Sequence, residues 1–310
     1  MFLAQSSLGK NQWWRYAATM ITTLAFFVAG HVPLFFIVTY YAEKGSFSDA
    51  DLDRLLATGG LDQIGVNSNL ALIVMLVPFA CALIALLLCI RFLHNRPVRS
   101  VLTSRRRFDL KRVGVAALLW FVVAGGIVLW VIPGELLTYQ FTLNSFLPLL
   151  LIAMLLLPLQ VVAEEILFRG YLLQGLSRFF VLPIWPLVIV TFAFAAVHIS
   201  NPEFQNGFIF IAPVYLVLSL FFGVLAILDG GLELPIGAHL ANNLFAALIL
   251  STSDGAMNTA SIFQTQVSDV VKHLWSLLLA APVVLCVLQL KYRFDWATLV
   301  RTEIQLRSST

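Results

Sequence analysis

The sequence predicts an all-α, polytopic membrane protein with about eight transmembrane helices and a polar cavity within the helix bundle. Three observations carry that expectation. Of the 310 residues, 60% are hydrophobic and only 11% charged, and the mean hydropathy is +0.92, whereas soluble domains carry about 25% charged residues. Apolar runs of roughly 20 residues, the length needed to cross a hydrocarbon core of about 30 Å, recur along the whole chain. Lys and Arg collect in alternate connections between those runs. No repeat of fixed period and no low-complexity linker divides the sequence, so residues 1–310 read as a single integral membrane domain.

The elements follow in order. Lys10 and Arg15 precede a first segment near 16–41, and Trp13 and Trp14 suit an aromatic belt at its start. Its apolar run exceeds a signal-peptide core and no small-residue cleavage site closes it, so it is expected to remain as an anchor. His31, between Gly30 and Pro33, reads as a kink with a locally satisfied imidazole. A second segment near 69–93 leads into a loop holding Arg91, Arg96, Arg99, Arg105, Arg106, Arg107, Lys111 and Arg112. Short basic loops stay in the cytoplasm. Topology alone accounts for this loop, with docking of anionic lipid headgroups as the added reading. A net charge of +3 drawn from one loop gives no basic face for nucleic acid.

The third segment lies near 113–132, the fourth near 146–177 and the fifth near 183–200. The sixth lies near 208–228, the seventh near 233–252 and the eighth near 270–290. Arg178 follows the fourth, and Lys291, Arg293, Arg301 and Arg307 follow the eighth, while Lys44, Arg54 and Lys272 fall on the opposite side. Eight crossings with both termini in the cytoplasm satisfy this pattern. Cys81, Cys89 and Cys286 lie within apolar segments and read as small fillers, not a disulfide framework or metal cluster. Asp229 and Glu233 bracket a Gly-Gly turn and are expected to be solvated, with a gate at the cavity mouth as the alternative; His94 and His273 are expected at the interface.

Glu164 and Glu165 stand together inside the fourth apolar segment, with Arg169 four residues beyond the second. An ionisable group at membrane depth costs about 2.5–3.5 kcal/mol and marks a functional site by default. On a helix, Glu165 and Arg169 share one face, whereas Glu164 is turned about 100° away. Arg169 is therefore expected to neutralise Glu165 and leave Glu164 free as a base in a low-dielectric setting.

Two further pairs have helical spacing: Phe194 with His198 on the fifth segment, and His239 with Asn243 on the seventh. Singly, a buried His is more often a hydrogen-bonded core residue, and a His/Asn pair can simply join helices. Jointly, a Glu pair, two His and an Asn on three segments point to one site. If the fourth and fifth segments turn near residue 181, Glu164 and His198 both lie roughly 25 Å from the turn. His239 would be shallower, on the order of 10 Å deep. That mismatch calls for helix tilt, or for a turn at 229–235 that dips into the protein, where irregular backbone is tolerated only beside protein or a wet cavity.

The order Glu164-Glu165-x-x-x-Arg169, Phe194-x-x-x-His198, His239-x-x-x-Asn243 resembles the signature of the CPBP family of intramembrane proteases. That family groups type II CAAX prenyl endopeptidases with bacteriocin-processing and self-immunity (Abi-like) membrane proteins. The resemblance covers about residues 146–252, which it marks as the catalytic core. It implies that Glu164 and His198 activate a water for attack on a peptide bond, and that His239 and Asn243 orient or stabilise the oxyanion. Glu165, Arg169 and Phe194 would support them. The chemistry is sound in principle: a carboxylate and an imidazole can take the water's proton and return it to the leaving amine, and an amide and imidazole can donate where negative charge develops.

Members of the family are described both as metalloproteases and as glutamate-type proteases. Glu164, His198 and His239 are an adequate zinc set with water as fourth ligand, but the His-Glu-x-x-His helix is absent, and metal-independent water activation is preferred, with no cofactor required. The substrate is a peptide or protein, lipidated or not: a CAAX-like terminus, a leader peptide or a membrane-protein segment. Short loops suit a bacterial inner or cell membrane. Two other classes stay open. One is a non-catalytic scaffold or bacteriocin self-immunity protein that keeps the motifs as a polar network; the other is an ion-coupled transporter.

Overall fold

A computed structural model describes residues 2–44, 61, 65–253, 255–265 and 270–300, without the side chains of 205, 206, 270 and 271. Arg54, Arg301 and Arg307, used above for orientation, lie outside the described residues. The described chain is almost entirely helical. We number its longer helices α1 (Trp13–Ala29), α2 (Val32–Glu43), α3 (Ser68–Leu88), α4 (Leu110–Val131), α5 (Leu143–Glu165), α6 (Ile184–Val197), α7 (Phe208–Asp229), α8 (Glu233–Leu248) and α9 (Val270–Tyr292). Among them, six stretches are long and apolar enough to span a bilayer: 13–43, 68–93, 110–131, 143–176, 208–229 and 272–292. Their outer faces present Phe35, Phe36, Leu118, Leu155 and Trp130 outward, as lipid-facing helices do. The protein is a multi-pass integral membrane protein.

The expected eight is thus two more than the described stretches of full spanning length. The fifth expected segment is the 14-residue α6, about 21 Å long, and the seventh is the 16-residue α8, about 24 Å long. Eleven of the sixteen α8 residues are buried. A helix wrapped in protein need not match the thickness of lipid, so its length is set by what it must reach.

The first segment breaks where expected. Pro33 lacks an N–H and its ring clashes with the carbonyl four residues back, so α1 stops at Ala29 and α2 restarts at Val32. The His31 Nδ1 lies 3.0 Å from the Phe27 carbonyl and satisfies it. Helix α5 continues past Glu165 as a π-helical stretch, Ile166–Leu172, and a final α turn, Leu173–Leu176. Such π stretches concentrate at functional sites.

The helix ends sort into two layers. At one end lie the start of α1, the residues after α3, the start of α4, Leu176, the α7–α8 corner and the end of α9. That end carries the basic loop. The other end is capped by three short strands, β1 (Thr138–Tyr139), β2 (Leu250–Thr252) and β3 (Phe263–Thr265), in the order β1-β3-β2. Strand β3 pairs antiparallel with β1, with Thr138 opposite Gln264, and parallel with β2, with Leu250 opposite Phe263.

The α7–α8 corner decides where the site can form. Gly230 takes φ +71°, a conformation glycine adopts at no steric cost, and ends α7. The corner lies beneath residues 102–112: the Leu232 N–H donates to the Leu102 carbonyl at 2.8 Å and the Ser104 N–H to the Gly230 carbonyl at 3.1 Å. Asp229 and Glu233 are buried, contrary to the solvated expectation. Arg105 pairs with Asp229 at 2.9 Å and with Glu233 at 3.1 Å, and Arg112 also binds Asp229. Two acids and two arginines cancel locally, which is what allows charge below the surface. Gly237 then brings α8 against α4 so tightly that a Cβ there would sit 2.2 Å from the Val113 carbonyl oxygen. The dipping turn, not tilt alone, thus resolves the depth mismatch for His239.

His94 lies one residue past the 68–93 stretch, but inside the protein and not on its surface. It is buried, with Nδ1 2.8 Å from the Lys10 carbonyl and Nε2 2.8 Å from the Tyr171 hydroxyl. Because a carbonyl only accepts, Nδ1 carries a proton; burial pushes the pKa of the ring below 6.5. Phe2 and Leu3 pack into the core cluster around Ile166 and Tyr171, closing this end of the bundle. His273 lies within α9 and lines the cavity described next.

Candidate active site

A cavity of about 760 Å³ penetrates the bundle, and Glu164, Phe194, His198, His239 and Asn243 all line it. Its remaining wall is mostly apolar side chains of α1 to α4, α7 and α9. The five residues come from α5, α6 and α8, as their motif spacing requires.

Glu165 and Arg169 are both fully buried and pair at 2.9 Å between Oε1 and Nη1. The guanidinium also donates through Nη2 to the Ser219 hydroxyl at 2.9 Å and the Ser219 carbonyl at 3.1 Å. Its carbon sits 4.5 Å from the Phe194 ring centroid and 5.6 Å from that of Phe222. One carboxylate and two aromatic faces thus stabilise this cation. Arg169 thus pairs with Glu165, and the Phe194 ring lies against its guanidinium.

The same Glu165 oxygen lies 2.8 Å from His239 Nδ1. A carboxylate only accepts, so Nδ1 bears the proton and Nε2 is turned the other way. That nitrogen stands 3.6 Å from Glu164 Oε2, and the ring stacks on Phe222 with centroids 4.8 Å apart. Glu164 Oε1 accepts from Gln160 at 2.7 Å, whereas Oε2 is buried with no hydrogen-bond partner. Two acceptors cannot rest against each other at that distance; a proton or a donating water must come between them.

His198 sits half-buried at the end of α6, clamped between two rings. Its centroid is 4.4 Å from that of Phe194 and 4.5 Å from that of Tyr215. Nδ1 lies 2.7 Å from the Phe194 carbonyl and must donate to it, so Nε2 is the basic nitrogen. The Phe194 ring stands beside both imidazoles, its centroid 6.2 Å from that of His239. It is His239, therefore, that meets the glutamate pair directly, while His198 faces the cavity from the neighbouring wall. Asn243 donates through Nδ2 to Gln160 Oε1 at 2.9 Å. Among the described residues, no group of three His, Cys, Asp or Glu side chains is arranged to hold a metal ion.

Sequence reasoning missed several members. Gln160 joins Asn243 to Glu164, and its signal was present: it is the polar residue four positions before Glu164 in an otherwise apolar run. Tyr215 gives its hydroxyl proton to Glu203 and accepts from Asn201 at 2.8 Å. Ser219 and Tyr215 are four apart on α7, but a serine and a tyrosine in an apolar helix carry no signal without their partners.

Residues 144–245 match the family described as Rce1-like, type II CAAX prenyl endopeptidase Rce1-like, a class of membrane protease. That stretch contains all three motifs, so the resemblance they carry is shown there. A relative from Bacillus subtilis (strain 168), the uncharacterized protein YyaK, is 28% identical over 246 residues, spanning 78% of this chain and 80% of its own. No solved structure matches.

Proposed function

We propose that the protein is an intramembrane endopeptidase in which water activated by Glu164 and His198 attacks a peptide carbonyl. The observation that carries this reading is Glu164 Oε2, a buried carboxylate oxygen with no protein partner on the wall of the cavity that His198 also faces. As the water oxygen bonds to the carbonyl carbon, its proton passes to Glu164 or to His198 Nε2. The developing oxyanion is met by Asn243 Nδ2 and by His239 Nε2, which can donate once protonated beside Glu165. Collapse breaks the carbon–nitrogen bond, and the held proton goes to the leaving amine. Every step uses side chains of this chain alone, in keeping with a metal-independent mechanism. The substrate is a peptide or protein segment whose side chains suit an apolar cavity.

A second reading, a scaffold or immunity protein, draws support from the hydrogen bonds among Gln160 and Asn243 and among Glu165, Arg169 and Ser219, which tie α5, α7 and α8 together. Glu164→Gln separates the two. It preserves shape and the Gln160 contact but removes the base, so new peptide termini seen in cells with the wild-type protein should vanish in the mutant at equal abundance. A wild-type phenotype without any differing terminus favours the scaffold. Cleavage should also survive chelation; one zinc per chain, lost and regained in step with activity, would replace the metal-free reading.

A further inference from the structure

The cavity and the basic loops lie at opposite ends of the molecule. The cavity draws on the second half of α1 at Phe27, the first half of α3 at Leu72, the second half of α4 at Val128 and the first half of α7 at Ile211. It also takes in β2, Thr265 of β3 and the start of α9. Its innermost wall is Trp120, Glu164, Phe222 and His239, and none of its lining belongs to segments 2–16, 89–112, 171–184 or 226–234. Those segments form the other end, and they are closed by the hydrogen-bonded α7–α8 corner, the Arg105 and Arg112 ion pairs and the buried Phe2 and Leu3. Glu164 lies 12 residues before Leu176, roughly 18 Å from that closed end. At the strand-capped end, Glu203, Lys272 and His273 line the cavity, supplying the polar groups that a water-filled entrance needs.

The closed end holds Lys10 and Arg15, eight basic residues from 91 to 112, Arg178, Lys291 and Arg293, whereas the strand-capped end holds Lys44 and Lys272. Short loops rich in Lys and Arg remain cytoplasmic. We infer that the active-site cavity opens to the extracytoplasmic side, and that the substrate is an apolar stretch of a membrane-inserted or exported polypeptide presented from that side. This rests on the hydrolase reading above and selects among its substrates: the lipidated C-terminus of a cytoplasmic protein would meet the closed end, separated from Glu164 by the packed layer of residues 94–112 and 229–234.

The test is cysteine accessibility in whole cells. With Cys81, Cys89 and Cys286 replaced by Ala, single Met257→Cys and Ser200→Cys variants at the outer part of the cavity are treated with a membrane-impermeant maleimide. Both should label in intact cells, and Arg106→Cys on the basic loop only after permeabilisation. Labelling of Met257→Cys and Ser200→Cys only after permeabilisation, or not at all while Arg106→Cys reacts, overturns the inference. Should the cysteine-free protein not accumulate, a fluorescent protein that matures only in the cytoplasm, fused after Thr310 of the unaltered chain, reads the same orientation: bright supports it, dark overturns it. The two proposals fail separately. External labelling without any Glu164-dependent terminus removes the protease and keeps the opening; Glu164-dependent termini found only on cytoplasmic proteins keep the protease and remove the opening.

Discussion

Glu165 and His239, 74 residues apart in sequence, meet at 2.8 Å through Oε1 and Nδ1. The contact fixes the tautomer of His239 and aims Nε2 at Glu164, 3.6 Å away. Arg169 Nη1 donates to the same oxygen at 2.9 Å and keeps Glu165 in place. The glutamate that looks merely structural is thus the one that orients an imidazole toward the other.

Arg169→Met should leave Glu165 buried without its cation and destabilise the protein by about 3–5 kcal/mol. The double variant Glu165→Gln with Arg169→Met should recover most of that loss, since no lone charge remains, yet stay inactive because His239 has no carboxylate beside it. Thermal unfolding in detergent and peptide cleavage, measured on the same samples, check both halves. Activity in the stable double variant would deny Glu165 its orienting role.

Tyr215 positions His198 by stacking at 4.5 Å, and its own hydroxyl is held by Glu203 and Asn201. Tyr215→Phe keeps the ring and should lower kcat less than tenfold. Tyr215→Ala removes the clamp and should lower kcat by about 100-fold, the scale of a displaced general base, with KM little changed. Equal losses in the two variants would place the effect in the hydroxyl instead.

The corner beneath the basic loop should couple stability to activity. Arg105→Ala removes the cation shared by Asp229 and Glu233. A loss of about 3 kcal/mol is expected, at the low end for a buried pair because Arg105 is a quarter exposed. As α8 starts at this corner, His239 should lose register and cleavage should fall in parallel. Unfolding midpoint and cleavage rate measured together decide it; a destabilised variant with an unchanged rate per folded molecule would separate corner from site.

His94 should give the fold a pH limit. Its pKa is lowered in the folded state by burial, so on acidification the unfolded chain binds the proton first. This contribution is complete above pH 6.5, the ordinary value, and is lost as pH falls below it. His94→Gln should flatten the decline in unfolding midpoint between neutral and mildly acid pH. An equally steep decline in the variant would assign it to other groups.

The sequence by itself determined the membrane class, the helical elements and the three motif pairs, because hydrophobic periodicity and i,i+4 spacing are local properties. The pairing of Glu165 with Arg169 and the shared face of Phe194 and His198 were legible for that reason. Only the tertiary structure decided that α6 and α8 are shorter than the bilayer and that α8 is mostly buried, that Asp229 and Glu233 are buried ion pairs, and that Gln160 links Asn243 to Glu164. It alone set His239 against both glutamates, and put the cavity at the end away from the basic loop. Each of these depends on contacts between residues far apart in sequence, chiefly on residues 102–112 covering the α7–α8 corner. Hydropathy reads that corner as a polar turn facing water, since it registers the charge of Asp229 and Glu233 and not the arginines that cancel it.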